Sequence, residues 1–413
     1  LKAGLKICFF EIIIKSDYYY GGNDMNFIFI NGKIETLSFF STALATELEK
    51  MGHTTYTHEF YDNAAALGSH ISDDTYLITF NCIGISGEDE YMTVNGRSIW
   101  HNYNIHIVNI LVDHPLYYHD QLTHADDYAS GYDNLTVVCI DRYHLQYLNT
   151  YYPEISHSFF MTLAGSAPEN IPAYSNRKYD IIFTGNFTPC SHFDKYIERA
   201  GKEYSNFYHG IIDELLSSPG QPIEKVCIRH ILNDIPDASP SDIRQVMNNM
   251  IFIDLYVRFY MRERVIRAIC DAGFNLHIIG KGFEAITLAD GSHPESTALM
   301  PTEYCLNETA LSKISVNVMP WFRDGSHDRI LSSMLCGSVT FSDPSLWLGN
   351  NFTGREMCFY DLNNMSELTS HIAGILDDPS AAMEIAAGGR KKALALHTWK
   401  ARAAELLEYL KEN

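Results

Sequence analysis

Short runs rich in Ile, Val and Phe alternate along the chain with stretches whose apolar residues recur at helical spacing. This alternation predicts an α/β protein with largely parallel sheets. In the first half, strands are predicted at Lys6–Ile14, Asn26–Asn31, Thr54–Phe60, Thr75–Ile85, Ile105–Val112, Thr136–Ile140 and Ser156–Phe160. Glu35–Met51 predicts a helix, because Leu37, Phe40, Ala43, Leu44 and Leu48 share one face and Gly52 follows as a stop. Gly165–Lys178 (GSAPENIPAYSNRK) concentrates Pro, Ser, Asn and Gly and reads as a linker. The pattern then restarts. Strands are predicted at Tyr179–Thr184, Leu276–Ile279, Ser315–Met319 and Ser338–Ser342. Helices are predicted at Phe193–Ser217, Ile223–Leu232, Ser239–Ala272, Leu306–Ile314, Asp328–Cys336, Met365–Leu376, Pro379–Ala395 and Thr398–Glu412. The expected division is an α/β unit at 1–170, a second at 171–395, and a terminal helix at 396–413 that crosses back to the first.

Composition narrows the function more than the fold. At 413 residues, with 46% hydrophobic and 20% charged residues, the chain can build two full cores. Its 30 basic residues against 51 acidic ones give a formal charge of −21, which disfavours nucleic acid and anionic membrane surfaces. A small phosphate ligand held by local amides is not excluded. The nine cysteines are scattered singly with no Cys-x-x-Cys, which reads as reduced thiols in a cytoplasmic protein. No run of about 18 apolar residues predicts a membrane-spanning helix. The apolar opening Leu1–Ile14 lacks a small-residue cleavage site and reads as a strand, not a leader.

The most informative window is Ile314–Pro344, which reads strand, loop, helix, glycine, strand. The loop Asp324-Gly325-Ser326 leads into a helix starting near His327. Such a helix start presents free N–H groups and the positive end of the macrodipole, a place for a diphosphate. Ile330, Leu331, Met334 and Leu335 predict its buried face, Asp328 and Ser332 share another, and Arg329 adds a bidentate charge. Gly185-Asn186 and Gly280-Lys281-Gly282 also follow predicted strands, and Lys281 supplies a further cation. All would lie at the carboxyl ends of parallel strands, where ligands bind in open α/β sheets. In the first half Asp113-His114 follows a strand and offers a general base. Tyr117, Tyr118, His119 and Asp120 continue that loop, and Tyr18–Tyr20 with Gly21-Gly22 is a second candidate wall. Each residue also has an ordinary structural role available. Gly185-Asn186 is a common turn, His327 a cap, Arg329 a partner for Asp324 or Asp328, Ser332 a solvent-facing helix position, and Asp113 a cap before Pro115. No His-Glu-x-x-His and no Asp-x-Asp occurs, so no metal or other cofactor is expected.

The window resembles the nucleotide-sugar donor site of GT-B glycosyltransferases. More narrowly it is similar to bacterial enzymes of glycosyltransferase group 1 related to spore-maturation proteins, where a Gly-x-His-Asp-Arg-like run precedes a helix ending in Cys-Gly or Asn-Gly. The resemblance covers most of the second half and rests in the first on Asp113-His114-Pro115-Leu116. It implies two Rossmann-like domains facing across a cleft, with the nucleotide-sugar on the second and the acceptor on the first. It places the Gly185 loop at the sugar-phosphate, Tyr304 in a base-contacting loop, and an acidic pair at Asp324 and Ser332. Ser332 departs from that pattern, and Asp328 is the nearest carboxylate. A basic pair expected near the first loop is missing there, with His192 and Lys195 closest. The function implied is metal-independent transfer of a hexosyl-type group from a nucleoside-diphosphate sugar to a hydroxyl acceptor, a surface glycan or a glycoprotein. Asp113 or His114 as base favours inversion; Asp324 orienting the sugar favours retention. The alternatives are a non-catalytic two-lobed sugar- or nucleotide-binding protein, and a nucleotide-sugar epimerase or hydrolase on the same scaffold. The oligomeric state is left open.

Overall fold

The computed structural model describes residues 24–85 and 90–412. The strand expected at Lys6–Ile14 and the wall at Tyr18–Gly22 lie outside them. In β1 (Asn26–Asn31), Phe27, Ile28, Phe29 and Ile30 are all buried, so neighbouring side chains on both faces are covered. That is why the strand reads as an unbroken apolar run and not as an alternation. The first sheet adds β2 (Thr54–Glu59), β3 (Thr75–Phe80), β6 (His106–Leu111), β7 (Leu135–Cys139) and β8 (His157–Phe160). Its order is β2-β1-β3-β6-β7-β8, every pair parallel, with Ile28 opposite Leu77 and Ile110 opposite Val138. A small hairpin, β4 (Thr93–Val94) with β5 (Arg97–Ser98), sits between β3 and β6. The second sheet holds β9 (Tyr179–Thr184), β10 (Leu276–Ile279), β11 (Ser296–Thr297), β12 (Ser312–Asn317), β13 (Val339–Ser342) and β14 (Cys358–Phe359). Its order is β11-β10-β9-β12-β13-β14, again all parallel. Both sheets reverse winding direction once, beside β1 and beside β9, and each reversal opens a crevice at the strands' carboxyl ends.

The longer helices are α1 (Glu35–Lys50), α2 (Arg142–Tyr151), α3 (Lys202–Ser217), α4 (Ile223–Asp234), α5 (Pro240–Asn248), α6 (Ile251–Asp271), α7 (Thr302–Ala310), α8 (Asp328–Leu335), α9 (Met365–Asp377), α10 (Pro379–Leu396) and α11 (Trp399–Glu412). Four boundaries differ from expectation. The strand at Thr75–Ile85 stops at Phe80, because Asn81 and Cys82 turn with φ of 51° and 59°. The helix expected over Phe193–Ser217 is interrupted by Gly201, whose φ is 90°. Ser239–Ala272 is two helices, the first opened by a Ser239–Asp242 capping box. Leu306–Ile314 is corrected most: the helix ends at Ala310 and β12 begins at Ser312. There Ser312, Ile314 and Val316 are buried while Lys313 and Ser315 are half-buried, the two-residue period of a strand.

Helix α11 packs on α1 of the first lobe. Trp399 lies 5.4 Å from Phe40 and Tyr409 stacks at 4.0 Å on Phe159. Leu406 and Leu407 are fully buried, and truncating either to Ala would cost roughly 2–5 kcal/mol. Helices α3–α5 form a module between β9 and α6 that docks on the first lobe as well. Arg244 of α5 reaches Tyr151 O at 2.9 Å and Glu154 at 2.6 Å. Among the described residues no helix is long and apolar enough to cross a membrane.

Candidate functional site

The crevice is built from glycines before it is built from charge. Gly280 approaches so closely that a Cβ there would lie 1.9 Å from Gly185 O, and one on Gly282 would lie 2.1 Å from Phe187 O. Only glycine permits this approach. The loops are then knitted together: Gly185 N–H donates to Ile279 O at 2.9 Å, Phe187 N–H to Lys281 O at 2.9 Å, and Lys281 N–H to Asn186 Oδ1 at 3.2 Å. Asn186 therefore braces the second loop, while the Lys281 side chain stays exposed.

Two arginines converge on Gly185. Arg329, at the start of α8, donates from Nη1 to Thr184 O at 2.9 Å. Arg262 of α6 donates to Asn186 O and lies between the rings of Phe183 and Phe259, at 5.5 and 5.4 Å. A Cβ on Gly185 would sit 2.9 Å from Arg329 Nη1 and 3.7 Å from Arg262 Cζ. Among the described residues no carboxylate lies within 4.0 Å of either guanidinium. Burial depresses the Arg262 pKa well below its ordinary value, and repulsion from Arg329 and Arg258 adds to it. Burial also lowers Arg329, with Asp328 opposing and Arg258 assisting. Among the described residues the two guanidinium groups hydrogen-bond only to main-chain carbonyls, while Asp328 acts on Arg329 from beyond ion-pair distance; a phosphate suits such a site. Arg262 was not among the residues expected from sequence. The two cations beside the Gly185 loop are Arg262 of α6 and Arg329 of α8; His192 and Lys195 are exposed, with Lys195 over the Tyr196 ring.

Arg258, one turn before Arg262, is neutralised. It pairs with Asp254 at 2.7 Å and Asp113 at 3.7 Å, and stacks 3.9 Å above Trp321. Asp254 in turn accepts from Tyr117 of the first lobe. Asp113 therefore faces the second lobe across the crevice, with its side chain 31% exposed. Asn81 fixes it, donating from Nδ2 to Asp113 Oδ2 at 3.2 Å while its Oδ1 accepts from Val112 N–H at 2.8 Å. His114 is elsewhere, which is a correction. The turn at Pro115 directs its Nδ1 to accept from Leu116 N–H at 3.0 Å, and its ring is buried against His144, 3.5 Å from Glu224. Burial pushes its pKa down to about 4, so an open general base is not its role.

The Asp324 loop is a joint between lobes. Asp324 N–H donates to Asp141 Oδ2 at 2.8 Å, Arg142 N–H donates to Asp324 O at 3.1 Å, and Arg142 pairs with the Asp324 carboxylate at 3.4 Å. A Cβ on Gly325 would lie 2.3 Å from Ile140 O, and Gly325 O accepts from Ser345. Burial raises the Asp324 pKa, opposed by Arg142. Ser326 is fully buried. His327 caps α8, and its Nδ1 lies 2.6 Å from Asp328 and 3.3 Å from Arg329 N–H. Burial pushes the Asp328 carboxyl up, but His327 and Arg329 outweigh it and hold it below its usual range. Ser332 is also corrected. It is buried, and its Oγ accepts from Ser166 N–H at 3.0 Å, so the linker occupies it. Tyr304 is 37% exposed in the first turn of α7.

Residues 262–408, beginning at Arg262 itself, match the family model described as glycosyl transferase-like. Sucrose-phosphate synthase from Thermosynechococcus elongatus superposes with a TM-score of 0.54 at 10% identity, over 94% of this chain and 98% of that one. An α-glucosyltransferase in complex with UDP-glucose and DNA containing an abasic site gives 0.53 at 10%, over 94% and 99%. A glycosyltransferase from Rickettsia africae gives 0.51 at 9%, over 95% and 99%. No curated protein matches the sequence. The two doubly wound sheets are the GT-B fold, with two Rossmann-like domains. The carboxyl-terminal segment is thus glycosyl transferase-like in sequence, and the whole chain shares the fold of glycosyltransferases.

Proposed function

We propose that the protein transfers a sugar from a nucleoside-diphosphate sugar to a hydroxyl of a glycan or glycoprotein acceptor, in the cytoplasm and without a metal. One observation carries this reading: Arg262 and Arg329 lie together at Gly185, and among the described residues no carboxylate pairs with either guanidinium. A departing diphosphate supplies the missing charge, and cations already desolvated stabilise it without reorganising. Asp113 is the base that takes the acceptor proton, because it is the carboxylate facing Arg258 from the acceptor lobe. Titration calorimetry with UDP, GDP, ADP and dTDP tests the donor side. At least one should bind, and Arg329→Ala should abolish the heat. A chain that binds no nucleoside diphosphate would refute the reading.

A further inference from the structure

At the carboxyl edge of the first sheet, Gly32 (φ 98°) turns the chain out of β1 and Phe60 N–H donates back to Asn31 O at 2.8 Å. The turn after β2 buries Phe60, at 3% exposure, and leaves Tyr61 outward at 62%. The β4–β5 hairpin closes on Asn95-Gly96, both at positive φ, and buried Met92 anchors the turn before it. That turn presents Tyr91, 41% exposed, to the same place. The three rings form a corner. Tyr61 meets Phe60 at 5.0 Å and 86°, and Tyr91 at 5.4 Å and 87°. Lys33 lies 4.6 Å over the Phe60 ring.

This corner continues into the crevice. Glu35, two residues after Lys33, accepts from Thr302 N–H at 2.9 Å and from its hydroxyl at 2.8 Å, joining the lobes. Ile34, 48% exposed, and Leu299, 63% exposed, flank that junction. Ile34, Tyr61 and Tyr91 therefore expose aromatic and apolar surface on the lobe that carries Asp113, and Leu299 does so on the second lobe. From β2 to β6 the sheet steps through β1 and β3, three strand spacings or about 14 Å at ~4.8 Å each. That separation suits a chain of a few sugars, with its end at Asp113 and an inner ring at the corner.

We propose that Tyr61 and Tyr91 form a distal acceptor subsite that stacks a pyranose ring of an oligosaccharide, so the acceptor is a glycan chain. The inference rests on the transferase reading above. Pyranose C–H faces suit an aromatic plane whose hydroxyl stays in water, and the Tyr61 ring is held edge-to-face by Phe60 and Tyr91, which fixes its position. The net charge of −21 disfavours an anionic lipid surface as the occupant.

The test is an array of defined oligosaccharides, with their monosaccharides and with phospholipid vesicles as controls. It is probed with the wild type, Tyr61→Ala, Tyr91→Ala and Tyr61→Phe, while UDP affinity is measured in parallel. The wild type should bind one oligosaccharide series and not its monosaccharide. Each alanine variant should weaken that binding about tenfold, close to 1.4 kcal/mol, with Tyr61→Phe near wild type and UDP affinity unchanged. Equal binding by the alanine variants, no glycan binding at all, or wild-type binding to vesicles instead would overturn the subsite. Glycan binding that depends on Tyr61 without any nucleotide binding would keep the subsite and sink the donor reading.

Discussion

The two lobes share a fold and meet the crevice with opposite chemistry. The second lobe brings glycine loops so close that side chains are excluded, then sets Arg262 and Arg329 there with no carboxylate paired to either among the described residues. The first lobe brings a carboxylate, Asp113, gripped by the strained Asn81 and balanced by Arg258. One wall is an unfilled charge deficit; the other is electrostatically complete. A wall that is complete without ligand positions a reacting group, whereas a wall left unbalanced at a cost in stability binds one. A large effect on binding follows. Arg262→Ala should weaken nucleoside-diphosphate binding by about 2–5 kcal/mol, at least roughly 30-fold in Kd by calorimetry. Arg262→Met should do the same while raising the Tm of the ligand-free protein, because it removes a buried like charge. A fall in both quantities would make Arg262 an ordinary structural cation and erase the contrast. Asp113→Asn probes the other wall. It should cut transfer by about 10²–10⁴-fold and leave nucleotide affinity alone.

That asymmetry also decides what the sequence discloses. Both sheets were legible because parallel strands buried on two faces, such as Asn26–Asn31 and Tyr179–Thr184, leave apolar runs. The glycine loops were legible because their chemistry is main-chain and local. Arg262 was not: it reaches Gly185 only after the α3–α5 module folds between them. A trace was present, since Asp254, Arg258 and Arg262 recur every four residues on one face of a long apolar helix. Asp141, which ties α2 to the Asp324 loop, left no such trace. Ser332 was placed at the donor by the resemblance, with a solvent-facing position as its ordinary alternative, and α8 has almost no solvent face for it to occupy. Asp328, Ile330, Leu331, Ser332, Ser333, Met334 and Leu335 are all buried beneath the linker, the sheet and α10.

A smaller effect tests how the first lobe is clamped to the helical module, where Glu224 of α4 meets His114. Burial raises the Glu224 pKa from 4.5 to about 7, against lowering by His144 and Lys225 and raising by Asp141. Burial lowers His114 from 6.5 to about 4, against Asp254, Asp141 and Asp113. The signs oppose. The folded state holds an extra proton on Glu224, so that contribution is present in acid and is lost as pH rises from 4.5 to about 7. The unfolded state binds the extra proton at His114, so that contribution is present above 6.5 and is lost as pH falls toward 4. Between these limits the two largely cancel. Glu224→Gln removes one arm, and its stability should fall more steeply than that of the wild type as pH drops below 6.5. Denaturant titrations at stepped pH read the difference, and parallel curves would show that Glu224 is not protonated at the interface.

The smallest effect separates the charge-bearing face of α8 from its linker-bearing face. Ser332 sits within one turn of Arg329, yet its hydroxyl is spent on Ser166 N–H, and Trp399 Nε1 closes the same knot by donating to Ser166 Oγ at 2.9 Å. If α8 serves the donor only through its first turn, Ser332→Ala should lose about 1 kcal/mol of stability, the worth of one buried hydrogen bond, and leave nucleotide affinity unchanged. The loss should reflect the Ser166 N–H left without its acceptor, since the residues around it are already close-packed. A Cβ added at Gly165 would lie 2.5 Å from the Leu331 carbonyl carbon, so the linker has no room to shift and recover a partner. Measured together, the urea midpoint and the UDP Kd decide the matter. A weakened Kd with an unmoved midpoint would carry the donor site a full turn deeper into α8 and return Ser332 to the donor.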